Sequence, residues 1–150
     1  MRRVYPQFWA LLFAVVLSAA FAIAAGEREI PLKQGPDGEG AGGGLIISIR
    51  NTGTATRGLP EKEITINAVG LKPDSVYTVW LVNKTPRKEM KGLGDPDYSF
   101  RSDNKGNGSY TALIPAPELD KWKMLEIARN PDGNPENTKD MRIALEAALR

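Results

Sequence analysis

Short apolar stretches with a period of two residues recur along the chain, and turn-forming residues separate them. In the stretch EKEITINAV, the apolar residues Ile64, Ile66 and Ala68 alternate with polar neighbours. Side chains point alternately to the two faces of a strand, so this pattern predicts a half-buried β-strand. We predict an all-β fold, an antiparallel β-sandwich of about seven strands. The predicted strands are LIISIR, EKEITINAV, VYTVWLVN, DYSFRS, SYTALIP, KWKMLEIAR and DMRIALEAALR.

The last stretch, residues 139–149, is compatible with two structures. Its apolar residues alternate with other residues from Met141 to Leu149, which favours a strand. Its content of alanine, leucine, glutamate and arginine favours a helix instead. We predict a strand because the alternation persists through the whole stretch, and a helix remains the alternative.

The N-terminal residues 1–25 have the pattern of a signal peptide. Arg2 and Arg3 precede an apolar run from Phe8 to Ala25, which ends in small alanines. We therefore expect a signal helix, cleavage near Ala24 or Ala25, and an exported protein that is periplasmic or extracellular. The alternative is an uncleaved anchor, because 18 apolar residues are just long enough to span a bilayer.

The glycine-rich residues 35–44 separate a short arm, REIPLKQ, from the predicted strands. Their six glycines and one proline disfavour both a helix and a central strand. We predict a flexible leader over residues 26–44 and a folded domain over residues 45–150. An arm on such a leader is suited to strand addition to the sheet of a neighbouring subunit.

The composition excludes most catalytic and metal chemistry. The chain contains no histidine and no cysteine, so it lacks the usual ligands of zinc, copper and haem, thiol nucleophiles and a Ser-His-Asp arrangement. We expect a protein that is not an enzyme and has no cofactor. Without Arg2 and Arg3, 18 basic residues balance 18 acidic ones. The broad positive field that nucleic-acid binding requires is therefore not expected.

The stretch GLKPDSVYTVWLV places Leu71, Pro73 and Tyr77 at a fixed spacing before alternating apolar residues. It resembles the tyrosine corner of fibronectin type III and other Ig-like domains. The resemblance implies an Ig-like sandwich in which Leu71 fills the core and the Tyr77 hydroxyl bonds to nearby backbone. In fibronectin type III domains the corner lies late in the domain, whereas about 70 residues follow it here. We therefore expect a different strand order.

From this corner to SFRSDNKGNGSY, about a third of the chain is similar to the extracytoplasmic domain of bacterial anti-sigma factors of the sigma-K regulator type. Those domains have a similar Leu-Pro and Tyr-x-x-Trp-Leu strand, followed by a hairpin rich in Gly and Asp. The resemblance implies a bacterial protein with an exported sandwich domain. Only seven residues precede the apolar run, so we expect no counterpart of the sigma-binding helices and no sigma regulation.

The stretch SDNKGNGSY has some features of a calcium loop. Counted from Asp103, however, the third and twelfth positions hold Lys105 and Ile114, where a calcium loop requires oxygen ligands. Glycines and asparagines between two aromatic stretches predict a hairpin turn instead. A weak metal-site alternative combines Asp103 with Asp95 and Asp97.

Two surfaces are candidate binding sites. If Tyr77 points into the core, alternation turns Val76, Trp80 and Val82 to the opposite face, where they form either a binding surface or a face covered by another segment. Trp122 raises the same question. The loop NKTPRKEMKG adds four cations for an anionic partner: Lys84, Arg87, Lys88 and Lys91.

These observations favour a non-catalytic envelope module that acts through protein contacts as a structural or assembly component, with a protein partner or self-association. The alternative is a glycan- or envelope-polymer-binding module that uses Trp80, Trp122 and the basic loop. A small hydrolase or a calcium-dependent protein using Asp95, Asp97 and Asp103 is a third hypothesis. Contact with a membrane is expected only through an uncleaved signal segment.

Overall fold

The computed structural model describes residues 26–50, 60–94 and 96–150, and the predicted signal segment lies outside them. The described residues form an all-β fold with one short helical turn, which confirms the predicted all-β class, with nine strands instead of about seven. No helix among them has the length and apolarity needed to cross a membrane. The elements are β1 (Arg28–Gln34), β2 (Gly42–Arg50), β3 (Glu61–Val69), β4 (Val76–Asn83), β5 (Glu89–Gly92), β6 (Ser99–Arg101), β7 (Gly108–Pro115), α1 (Ala116–Leu119), β8 (Met124–Asn130) and β9 (Arg142–Ala148).

The strands form one curled antiparallel sheet in the order β5-β4-β8-β9-β1-β2-β3-β7, and β6 also pairs with β4. β1 joins the two halves of this sheet. Its residues from Arg28 to Leu32 pair with β2, whereas Lys33 and Gln34 pair with β9. We call β2, β3 and β7 the β3 half, and β4, β5, β6, β8 and β9 the β4 half. The main hydrophobic core lies inside the curl and draws on both halves.

The expected flexible leader is wrong. Ile30 and Leu32 of the arm REIPLKQ are buried in the main core, and the arm is strand β1 of the chain's own sheet. Three of the glycines, Gly35, Gly38 and Gly43, lie where a Cβ would collide with neighbouring backbone. Gly43 has a φ of +149°, and a Cβ there would collide with the carbonyl oxygen of Asn67 on β3. The arm is therefore not free to join a neighbouring subunit.

The C-terminal stretch is strand β9, as predicted, but its alternation does not place all apolar residues on one face. The pairing with β8 shifts by one residue, so Ile127 faces Leu145 while Ala128 faces Ile143. Such a bulge changes which residues of a strand point inward. Ala144, Leu145, Ala147 and Leu149 therefore pack in the main core, whereas Ile143 packs on the outer side of the sheet.

The corner between β3 and β4 has the predicted geometry. Leu71 and Tyr77 are buried in the main core, and the backbone N–H of Lys72 donates a hydrogen bond of 2.9 Å to the Tyr77 hydroxyl. Desolvation by burial raises the pKa of Tyr77, so the phenol stays neutral at physiological pH. The hydrogen bond fixes the direction in which β4 leaves the corner, and with it the inner row that continues through Val79 and Leu81.

An ion pair fixes the connection between β1 and β2 to the β4 half. Asp37 accepts hydrogen bonds from Arg129 Nε at 2.7 Å and from Arg129 Nη2 at 3.1 Å, and both side chains are largely buried. The hydrogen bonds from the Arg129 guanidinium lower the pKa of Asp37 below its ordinary value of 3.8. Both charges are therefore compensated in a site where water solvates them poorly.

We predict that Asp37→Asn lowers the free energy of unfolding at pH 7 by about 3 kcal/mol, because the charge of Arg129 then loses its partner. The pKa of Asp37 is depressed in the folded state. The contribution of Asp37 to the free energy of unfolding is therefore complete above the unfolded pKa near 3.8. It is lost as the pH falls through the lower pKa of the folded state. Urea unfolding at pH 7 and through this acidic range measures both effects.

Asp120→Asn is the matched control. Asp120 forms an exposed salt bridge of 3.0 Å with Lys62, and such pairs contribute less than about 1 kcal/mol. Equal losses of unfolding free energy in the two variants would contradict a stabilising role for the Asp37–Arg129 pair. An unchanged dependence of stability on acidic pH in Asp37→Asn would contradict it as well.

Candidate functional site

Trp80 and Val82 point away from the main core, as predicted, but they are not exposed. They form a second hydrophobic cluster with Ala128, and only 8% of Trp80 is accessible. The ring of Tyr98 lies against the indole of Trp80, with 4.9 Å between the ring centroids. Val76, at the start of the strand, is half-buried. The interpretation of this face as an open binding surface is wrong, because neighbouring side chains cover it. They are Met90, Tyr98, Met124, Met141 and Ile143.

A chain of hydrogen bonds runs through this second cluster. The indole N–H of Trp80 donates to the Thr78 hydroxyl at 2.8 Å, and that hydroxyl donates to Asn130 Oδ1 at 2.9 Å. The amide of Asn130 then donates to the backbone carbonyls of Asn134 and Asn137. The loop after β8 is thereby fixed to β4 through buried polar groups. These groups are satisfied, which makes their burial tolerable.

We predict that Thr78→Val lowers the free energy of unfolding by about 2 kcal/mol. The substitution keeps the side-chain shape, but it leaves the indole N–H of Trp80 without an acceptor and the side-chain Oδ1 of Asn130 without a donor. Thr65→Val is the control, because the Thr65 hydroxyl lies on an exposed face of β3 with only a 3.4 Å contact to Thr111. Chemical denaturation of both variants measures the difference. A Thr78→Val protein as stable as Thr65→Val would contradict a structural role for this chain.

Trp122 lies in the main core rather than beside Trp80, so the structure does not bring the two tryptophans together. Only 9% of Trp122 is accessible, which leaves neither indole ring free to stack on a sugar. The two indoles differ in one respect. Trp122 Nε1 is a buried donor with no hydrogen-bond partner in the part of the chain that the structure describes, whereas the N–H of Trp80 is satisfied.

Acidic neighbours neutralise two of the four predicted cations of the basic loop. Lys84 Nζ lies 3.0 Å from Glu126 and 3.4 Å from Glu146, and the hydrogen bond to Glu126 raises the pKa of Lys84. Lys91 pairs with Glu118 at 3.2 Å. Arg87 and Lys88 remain exposed. The loop therefore does not present a continuous positive surface to an anionic partner.

Asp103 organises the turn that follows β6. Its carboxylate accepts hydrogen bonds from the backbone N–H groups of Lys105 and Asn107 and from the Asn107 side chain. These bonds lower the pKa of Asp103, those from Asn107 most. The turn is confirmed, with Gly106 at a φ of +80°, but the expected hairpin is not formed, because β6 pairs with β4 whereas β7 pairs with β3.

The metal-site alternative finds little support in the described part of the chain. Asp95 lies outside it, and Asp97 contributes a backbone carbonyl that accepts a hydrogen bond from the Tyr110 hydroxyl at 2.7 Å. Among the described residues, no three acidic side chains come close enough to hold a metal ion.

The edge strand β7 is the feature that sequence reasoning missed. It pairs with β3 over eight residues, from Glu61 opposite Pro115 to Ala68 opposite Gly108. No described strand pairs with its other side, and its backbone forms no further hydrogen bond to described backbone groups. An unpaired edge of this length is a template for another strand.

β7 also lacks the charged side chains that commonly protect edge strands. Its sequence GSYTALIP contains no charged residue, and its only protective residue is the terminal Pro115. Leu113 on its outer face is 49% exposed. The opposite edge strand, β5, is only four residues long and contains Glu89 and Lys91. The absence of charge in SYTALIP is visible in the sequence, but only the strand order shows that this segment is an edge.

A groove of about 480 Å³ lies where the two edges of the curled sheet fail to meet. Leu113, Ile114 and Pro115 of β7 line one side, and Lys91 and Gly92 of β5 line the other. Glu118 of α1 lies in the same groove, and hydrogen bonds from Lys121 and Lys91 lower its pKa. The C-terminal end of β7, from Leu113 to Pro115, is therefore accessible from this groove.

Comparisons with known proteins add no assignment to this geometry. No family model matches the chain, and no curated protein matches it at a significant level.

Proposed function

We propose that the protein is an exported, non-catalytic β-sandwich module of a bacterial cell envelope that acts through protein contacts as a structural or assembly component. The observation that carries this proposal is the uncharged, unpaired edge of β7. The signal-like residues 1–25 support export, and the absence of histidine and cysteine supports a non-catalytic role.

The partner proposed for β7 is β7 of a second copy. Two identical strands related by a two-fold axis pair antiparallel, and each presents the same side chains to the other. A charged edge strand would bring like charges together in such a pair, which is unfavourable. β7 has no charge and therefore no such repulsion. The pairing would continue the β3 half across the axis into the second subunit.

The outer face of the β3 half is suited to this continuation. Thr65 on β3 lies opposite Thr111 on β7, and Asn67 lies opposite Ser109, with side-chain contacts of 3.4 Å and 3.3 Å. These short polar side chains lie in rows on a regular surface. A second copy of β7 would extend the same rows without burying an unpaired charge.

The glycan-binding alternative loses the residues on which it depended. Trp80 and Trp122 are buried, and Lys84 and Lys91 of the basic loop form salt bridges. Protein contact through β7 is therefore the function that the geometry favours.

We predict that residues 26–150, which contain both hydrophobic clusters, form dimers in a concentration-dependent manner, and that Leu113→Lys abolishes association. A lysine on an edge strand opposes the approach of a second identical strand. Light scattering coupled to size-exclusion chromatography, over a wide range of protein concentration, measures this.

Val69→Lys is a closely matched control. Val69 is also apolar and 53% exposed, and it lies on the same outer face, but its strand β3 is paired on both sides. The control variant should still dimerise. A wild-type protein that stays monomeric at millimolar concentration, or two variants that behave alike, would refute the proposal.

A further inference from the structure

A second cavity, of about 270 Å³, opens on the other side of α1 and shares no lining residue with the groove beside β7. The inner row of β2 leads into this cavity. Leu45 is fully buried, Ile47 is 8% exposed, and Ile49 is 53% exposed. The core-facing row therefore continues beyond the packed core, and the cavity receives an apolar wall that no described segment covers. The volume lies just below the usual range of small-molecule sites, about 300–1,000 Å³.

Trp122 lines the same cavity and has an unsatisfied polar group. Its side chain is nine-tenths buried, and its indole N–H has no acceptor among the described residues. Buried N–H donors are almost always paired, so this donor calls for an acceptor from outside the described residues. An oxygen atom of a bound molecule would satisfy this donor.

The mouth of the cavity is positively charged. Arg28, Lys62 and Arg150 line it together with a single acid, Asp120. Lys62 pairs with Asp120 at 3.0 Å, whereas no acidic side chain among the described residues forms a salt bridge with Arg28 or Arg150. The Arg28 guanidinium donates a hydrogen bond of 2.6 Å to the carbonyl oxygen of Leu149, which holds it at this end of the sheet without cancelling its charge. An anionic group at the mouth would gain charge-assisted hydrogen bonds.

We propose that this cavity binds a single-chain amphiphile with an anionic, oxygen-bearing head. The apolar chain lies against Ile47, Ile49 and Leu149, and the head lies between Arg28 and Arg150. A head-group oxygen accepts the Trp122 N–H. Each of the three features has a role in this arrangement: the apolar wall, the unpaired donor and the positive mouth. The site is independent of the proposed pairing through β7.

The test uses the indole N–H resonances of ¹⁵N-labelled residues 26–150, which contain only two tryptophans, Trp80 and Trp122. Sodium decanoate, kept below its micelle concentration, is the probe. The Trp122 resonance should shift and saturate, while that of Trp80 should stay in place because its N–H is already bonded to Thr78. Trp122→Phe identifies the resonance. If that variant does not fold, nuclear Overhauser contacts with the ring of Tyr98 identify the Trp80 resonance instead.

Two comparisons distinguish a specific binding site from non-specific hydrophobic binding. Decyltrimethylammonium has the same chain and the opposite charge, and it should bind at least about tenfold more weakly than decanoate. Arg28→Gln should weaken decanoate binding, whereas Arg101→Gln, at an exposed position on β6, should not. Failure of decanoate to shift Trp122 at millimolar concentration, equal shifts of both indoles, or equal binding of the two amphiphiles would overturn the proposal.

Discussion

The fold depends on one strand that belongs to both halves of the sheet. β1 pairs with β2 along most of its length and with β9 at its end, so it carries the curl from one half to the other. Its inward residues Ile30 and Leu32 lie in the core that the two halves enclose. The close approach permitted at Gly43 and the Asp37–Arg129 ion pair hold the connection to β2 in place. Without β1, the β3 and β4 halves would share packing contacts but no backbone pairing.

The curl also accounts for the surfaces that remain. A sheet that bends on itself without closing leaves two edges, and here the edges differ in length and charge. The same bend leaves one end of the core uncovered, where the inner row of β2 extends to Ile49. The groove beside β7 and the cavity at Trp122 are thus two consequences of incomplete closure, separated by α1.

Local patterns predicted the elements well and their partners poorly. Period-two alternation identified most strands, and the spacing of Leu71, Pro73 and Tyr77 identified a corner whose hydrogen bond is present. The arm REIPLKQ contains only two inward-facing apolar residues and precedes many glycines. Its own residues therefore do not predict that it pairs with β9. The bulge near Ala144 depends on β8 and is equally invisible in β9 alone.

The sequence could not decide between a binding surface and a covered face at Trp80 for a similar reason. Alternation correctly placed its side chain opposite to Tyr77, but exposure depends on what packs against that face. The covering ring of Tyr98 and the Thr78–Asn130 hydrogen bond come from segments 18 and 52 residues away from their partners. Burial of an outward-facing side chain is therefore a tertiary property, and the strand pattern has no information about it.

The hydrogen bond between Arg28 and the carbonyl oxygen of Leu149 joins residues 121 positions apart. The first strand thus acquires its last neighbour only when nearly the whole chain is present. Loop-closure entropy makes such distant pairing slow, and local contacts cannot replace it. A chain still emerging from the ribosome cannot complete this sheet. Completion of the sheet therefore waits for the C-terminal end, although each half can begin to form before it.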